Sequence, residues 1–242
     1  MMEIYFTDVS AHAGIYGSTI GFGLGVTVGD VNNDGWQDIY VSNDFFERDY
    51  LYINQQNGTF KEALEDQMMS ISNASMGADM ADINNDAQPD IFVTEMLPED
   101  EGRIKTNTTF ENWDKYQLDL KYDYYHQFTR NMLQLNNGPS PSSKKTNHPL
   151  PFSKGKGVSH LRTDEVEGRG EVTFSEIGRF AGVSATDWSW GAIITDLNND
   201  GLKDIFIANG IYQDLTNEDY IQYISTENFL KKYHQAKVIL KN

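Results

Sequence analysis

An all-β fold assembled from repeated four-stranded units is what this sequence predicts. Three observations carry the prediction. A twelve-residue stretch recurs: DVNNDGWQDIYV at 30–41, DINNDAQPDIFV at 82–93 and DLNNDGLKDIFI at 196–207. Flanking phrases recur with it: FTDVSAHAGI at 6–15 matches FSEIGRFAGV at 174–183, FKEALED from Phe60 is a weaker copy, and YLYINQQNG at 50–58 matches MLQLNNG at 132–138. Between them lie short alternating or apolar runs (GVTVGDV, DIYVSND, DYLYIN, GTFKEA) broken by Gly, Asn and Asp, the pattern of strands joined by tight turns. Four such strands fall in the 54 residues from Phe6 to Phe60. Four strands repeated at about this period describe a β-propeller blade.

Taken in order, residues 1–214 are predicted to form a propeller segment of about three blades, at about 6–59, 60–173 and 174–214. The second copy spans 114 residues, Phe60 to Phe174, because it carries two insertions. The first, 99–130, is polar with many aromatics, and serves either as a ligand-facing element or as a solvated helical lid. The second, 139–171, opens PSPSSKKTNHP and is predicted to be a mobile surface loop, having too few apolar residues to offset its ordering entropy. Residues 215–242 are predicted to form a short C-terminal helical tail. Apolar residues at Tyr220, Ile221, Ile224, Phe229, Leu230 and Tyr233 have helical spacing, and Thr216 is placed to cap it. Three blades do not close a ring, so the remaining blades are expected in the same or another chain.

Composition narrows the function. Thirty-six acidic against 19 basic residues give a formal charge of −17, which repels nucleic acid and anionic membrane surfaces. Nine of the acids sit in the three repeated stretches. There is no cysteine, hence no disulfide framework or thiol chemistry. No apolar run is long enough for a membrane span. The opening MMEIYFTDVS lacks the basic and apolar regions of a signal peptide.

The repeated stretch itself carries chemistry. Numbered from its first Asp, it places side-chain oxygens at positions 1, 3, 5 and 9, a turn residue at 6 and a backbone carbonyl at 7. Hard oxygen donors at these spacings describe a Ca2+ loop with the logic of the EF-hand. The candidate ligands are Asp30, Asn32, Asp34, the carbonyl of Trp36 and Asp38 in the first copy. They are Asp82, Asn84, Asp86, the carbonyl of Gln88 and Asp90 in the second. They are Asp196, Asn198, Asp200, the carbonyl of Leu202 and Asp204 in the third. An EF-hand would need Glu at position 12 and flanking helices; Val41, Val93 and Ile207 stand there, between strand residues. So many carboxylates disfavour Mg2+, and without clustered Cys or His zinc has no ligand set. The competing reading is a plain hairpin turn, since Asn-Asp-Gly suits such turns. A turn alone does not require Asp at both ends, and three carboxylates around one loop repel without a cation. Ala87 replaces Gly at position 6 of the second copy and predicts a strained, weaker site.

A glycine stands five residues before each first Asp, at Gly25, Gly77 and Gly191. The resulting pattern, G-x-x-x-x-D-x-N-x-D-G-x-x-D-[IL]-x-[VI], resembles the FG-GAP or VCBS repeat and is similar to blades of the integrin alpha-subunit propeller. The linking phrases, with IFIANGIY, resemble a narrower set of secreted VCBS-repeat proteins related to the cartilage acidic protein family. The resemblance covers residues 4–138 and 172–224, and Ala87 and the insertions depart from it. It implies an extracellular or cell-envelope propeller with structural Ca2+ that binds a protein or glycan ligand or serves adhesion. The alternative is a segment of a carbohydrate-active enzyme, a lyase or hydrolase, with chemistry from inserted loops.

Other motifs weigh less. DWSWGA at 187–192 is either a carbohydrate-stacking platform or, as the spacing of Trp188 and Trp190 favours, packing between blades. YYHQFTRN at 124–131 gathers Tyr, His and Arg, types that serve acid–base catalysis, without a paired carboxylate. GFGLG at 21–25 lacks the Lys-Ser/Thr ending and the helix of a phosphate loop, so it reads as a crowded strand. No catalytic residue is assigned.

Overall fold

The computed structural model describes residues 5–107, 112–139, 172–211, 217–226 and 231–232. After a single helical turn, α1 (Ser10–Ala13), the chain lays down β1 (Gly23–Gly29), β2 (Asp38–Asn43), β3 (Tyr50–Asn54) and β4 (Phe60–Glu62) as one antiparallel sheet in sequence order. A connection through α2 (Leu64–Gln67) and β5 (Ile71–Ser72) leads to β6 (Gly77–Ala81) and β7 (Asp90–Thr94). The first insertion follows as α3 (Glu101–Asn107), α4 (Trp113–Lys121) and β8 (Gln127–Phe128), before β9 (Met132–Pro139) and β10 (Val172–Glu176) complete a second sheet, ordered β10-β9-β7-β6. A third sheet holds β11 (Ser189–Thr195) and β12 (Asp204–Asn209), and α5 (Glu218–Ser225) comes after it. These are consecutive four-stranded blades of a partial β-propeller, the third with two strands among the described residues.

Each loop motif forms because Asp, Asn and Gly break the strand just where the alternating apolar pattern stops, and the pattern resumes at Ile39, Ile91 and Ile205. The inner strands β1, β6 and β11 lie side by side. They approach at backbone distance because the repeated glycine faces the next blade. A Cβ on Gly25 would sit 3.4 Å from the Cα of Gly77, and one on Gly77 would sit 3.0 Å from the carbonyl oxygen of Trp190. One apolar core fills the space between the first and second blades, with Val31, Tyr40, Leu51, Ile91, Val93 and Met132 fully buried. A second, around Phe92, Leu133 and Ile194, joins the second blade to the third. The outer faces lack such cover: Val26 and Val28 on β1 and Ile193 and Phe206 on the third blade are more than half exposed.

The blades run out of phase with the sequence repeat. The sheets span 23–62 and 77–176, so the Phe60 and Phe174 phrases, which open repeats at 60–173 and 174–214, close the preceding sheet. The physical reason is the outer strand's pairing: β4 bonds back to β3, and β10 back to β9. Phe174 is thereby buried, while Phe6, the same residue of the first phrase, is 96% exposed.

The insertion at 99–130 is helical and packed onto the blades. The side chain of Asn112 accepts from the Lys115 N–H to cap α4, and Lys115 Nζ donates to Asn73 Oδ1 at 2.6 Å. β8 pairs in parallel with β5. Most of the second insertion, 140–171, lies outside the described residues, as does Thr216. In the tail, α5 is capped by Asn217, which accepts from the Tyr220 N–H, and the helix lies against α3. Phe229, Leu230 and Tyr233 fall outside the described side chains. No helix among the described residues is long and apolar enough to cross a membrane.

Candidate metal centres in the blade loops

The loops that join β1 to β2, β6 to β7 and β11 to β12 share one geometry. In the first, Asp30 Oδ1 accepts from the Asp34 N–H at 2.9 Å and Asp30 Oδ2 from the Gly35 N–H at 2.7 Å. Asn32 Oδ1 also accepts from the Asp34 N–H, and Asp34 Oδ1 accepts from the Trp36 N–H. In the second, Asp82 accepts from Asp86 and Ala87, Asn84 from Asp86, and Asp86 from Gln88. In the third, Asp196 accepts from Asp200 and Gly201, Asn198 from Asp200, and Asp200 from Leu202. Residues at positions 1, 3 and 5 thus wind around the N–H groups of their own turn.

Position 9 behaves differently. Asp38 and Asp90 are fully buried at the start of the second strand. Each closes its loop by accepting from the residue after the first Asp, Val31 at 3.0 Å and Ile83 at 2.9 Å. Their other oxygen accepts from the third strand, Asn54 N–H and Asn136 N–H, both at 2.8 Å. Asp204 makes the first of these bonds, to Leu197 at 3.0 Å, but no third strand exists there among the described residues. Desolvation pushes the Asp38 carboxyl up to about 6, and the charges of Asp34 and Asp30 push the same way. Asp90 is raised for the same reasons, desolvation first. The half-buried Asp196 is lowered, chiefly by the Gly201 N–H it accepts from.

Position 6 lies in the left-handed region in all three copies: φ is 87° at Gly35, 67° at Ala87 and 88° at Gly201. The second copy therefore carries the strain that its alanine predicts. Position 7 is Trp36, Gln88 and Leu202, each offering its backbone carbonyl to a cation; Trp36 and Leu202 are largely exposed.

The donor set is all oxygen and suits a hard cation, and each carboxylate oxygen keeps acceptor capacity beyond the single N–H it holds. Among the described residues no three carboxylate or imidazole groups converge tightly enough to enclose an ion. Binding would therefore draw the carboxylates of one loop inward from the positions seen here. The sequence reading missed the bracing residues. Asn54 and Asn136 lie on the third strands, and Gln56 Nε2 donates to Asp34 Oδ2 at 2.8 Å. A signal existed for the first two, since YLYIN and MLQLN both end in that asparagine.

The other motifs are engaged elsewhere. The rings of Trp188 and Trp190 lie 5.9 Å apart. Trp190 is 52% exposed and donates to the Gly210 carbonyl, so this pair lies outside both apolar cores. Tyr125 donates to the Met68 carbonyl, His126 Nδ1 meets Tyr116 Oη at 2.6 Å, and Arg130 pairs with Glu176 at 2.8 Å. Burial lowers the His126 pKa.

Residues 30–93 match the FG-GAP-like repeat family. Integrin alpha-6 of Homo sapiens is 38% identical over 91 residues, 30% of this chain. Integrin alpha-7 of Mus musculus is 39% identical over 90 residues, 31% of this chain. The matched stretch spans 7% of each relative's length.

Proposed function

Because this chain is an FG-GAP repeat protein, we propose that it is a Ca2+-braced propeller module that acts outside the cytoplasm by binding a protein or glycan partner. The observation that carries the reading is the threefold repetition of one all-oxygen loop closed by its position-9 carboxylate, which is fully buried in the first two copies. The ion's role is structural. Asp38 and Asp90 each tie the loop to the third strand, and the charge of their neighbours opposes their ionisation. A divalent cation held by positions 1, 3, 5, 7 and 9 offsets that repulsion and fixes the loop on its blade. The similarity to two integrin alpha chains supports binding or adhesion as the module's work. The helical insertion packed on the blades supplies a rigidly held surface for a partner.

Equilibrium dialysis against Ca2+ tests this directly. The expected result is three ions per chain, and two in each of the variants Asp34→Asn and Asp200→Asn. Binding that is absent, or that is unchanged in both variants, overturns it.

A further inference from the structure

We infer that the second asparagine of each Asn-Asn pair, position 4 of the loop, is a latch between neighbouring blades. The inference rests on the propeller reading but needs no ion. Asn33, Asn85 and Asn199 all hold left-handed backbone, with φ of 54°, 59° and 62°. Asparagine tolerates that conformation better than most residues, which explains part of its recurrence. The amide group explains the rest. Asn33 Nδ2 does not serve its own loop but donates to the Ala87 carbonyl at 2.8 Å and to Gln88 Oε1 at 2.9 Å, both in the next blade's loop. Asn85 Nδ2 donates to the Gly201 carbonyl at 3.1 Å, again in the next loop. Ala87 and Gly201 occupy the same position, 6, so one donor reaches one acceptor at both blade junctions.

The latch complements the glycine contact. Gly25 against Gly77, and Gly77 against Gly191, fix the inner strands at one end, with a Cβ on either first member 3.4–3.5 Å from the Cα of the second. The asparagine fixes the loop end of the same strands. Two separated points of attachment set the angle between blades, which a single point does not. At the third blade both points are open: a Cβ on Gly191 would meet nothing within 4 Å, and Asn199 is exposed with no further loop beyond it among the described residues. Asn199 is therefore an internal reference, the same residue in the same conformation without the latch.

Glycine at position 4 keeps the left-handed backbone unstrained and deletes the amide. The three variants Asn33→Gly, Asn85→Gly and Asn199→Gly share the entropic cost of glycine and differ only in the latch. With Ca2+ saturating, Asn33→Gly and Asn85→Gly are expected to melt about 2–4 °C below Asn199→Gly. Asn33→Gly falls further, having lost two bonds. Asn33→Asp, which tolerates the backbone but cannot donate, follows Asn33→Gly. Ion stoichiometry by dialysis stays the same in all, so loss of the latch is separable from loss of an ion site. Should Asn199→Gly fall as far as the other two, the asparagine serves its own loop and the latch is refuted.

Discussion

Asp49 shows how much of this molecule's chemistry sits in single buried residues away from the loops. It is 1% exposed, and its carboxylate accepts from the Tyr40 and Ser75 hydroxyls and the Asn43 N–H. Desolvation outweighs those bonds and pushes its carboxyl up to about 6. A folded-state pKa raised from about 3.9 means the folded chain holds this proton more tightly than the unfolded one. The stability it contributes is then complete below about pH 4 and lost as pH rises through 6, a change of roughly 3 kcal/mol. In Asp49→Asn the side-chain oxygen still serves Asn43 and its amide meets hydroxyls that can turn, so the variant is expected to fold. Urea midpoints from pH 4 to 7 should fall less steeply in Asp49→Asn than in the parent; parallel slopes would assign the effect to other carboxyls. Ala87 gives a second test. Replacing it with Gly relieves its φ of 67° and is expected to stabilise by about 0.5–1 kcal/mol in the same assay. A loss of stability would show that the loop's entropy outweighs its strain.

At the scale of elements, the third strand of each of the first two blades is tied to its loop by an asparagine, and the two examples are unequal. Asn136 donates to the Pro89 carbonyl of its own blade and to the Val31 carbonyl of the blade before, and it accepts from the Gly138 N–H. Asn54 donates to the Gln37 carbonyl and accepts from the Gln56 N–H, with no crossing bond. Asn136→Ala leaves more buried backbone groups unpaired, and is expected to cost roughly 2–4 kcal/mol in urea unfolding against about 1 for Asn54→Ala. Equal costs would mean that the crossing to Val31 contributes nothing. The strands and loops were legible in the sequence because their signals are local: an alternating pattern, a Gly-Asn-Asp break, and a resumption, three times over. The phase of the blades was not, because the pairing of β4 with β3 is a tertiary choice that the Phe60 phrase does not announce. The two-residue parallel pairing of β5 with β8 has too few residues to show any period. Asp38 and Asp90 were legible as loop residues, but their burial and their bonds to the third strand depend on partners 16 and 46 residues away.

The whole molecule is a run of blades held by three things: two apolar cores between sheets, backbone contact at the repeated glycines, and the loops along one edge of the sheets. The outer faces, with Val26 and Val28 at one end and Ile193 and Phe206 at the other, have the composition of blade interfaces and the exposure of a surface. That is what a partial propeller requires, and it places further blades in the same or another chain. The chain's charge of −17 is concentrated in part on the loop edge, where nine carboxylates must coexist. An ion that binds the folded loops and not the unfolded chain stabilises by mass action, about 2.7 kcal/mol per site at a hundredfold excess over its dissociation constant. Thermal melting of the chelator-stripped chain, titrated with Ca2+ and separately with Mg2+, tests this most directly. The expected result is a large rise in melting temperature with Ca2+, a much smaller one with Mg2+, and a reduced Ca2+ response in Asp34→Asn and Asp200→Asn. A melting temperature that neither ion moves would contradict it and leave the three loops as hydrogen-bonded turns.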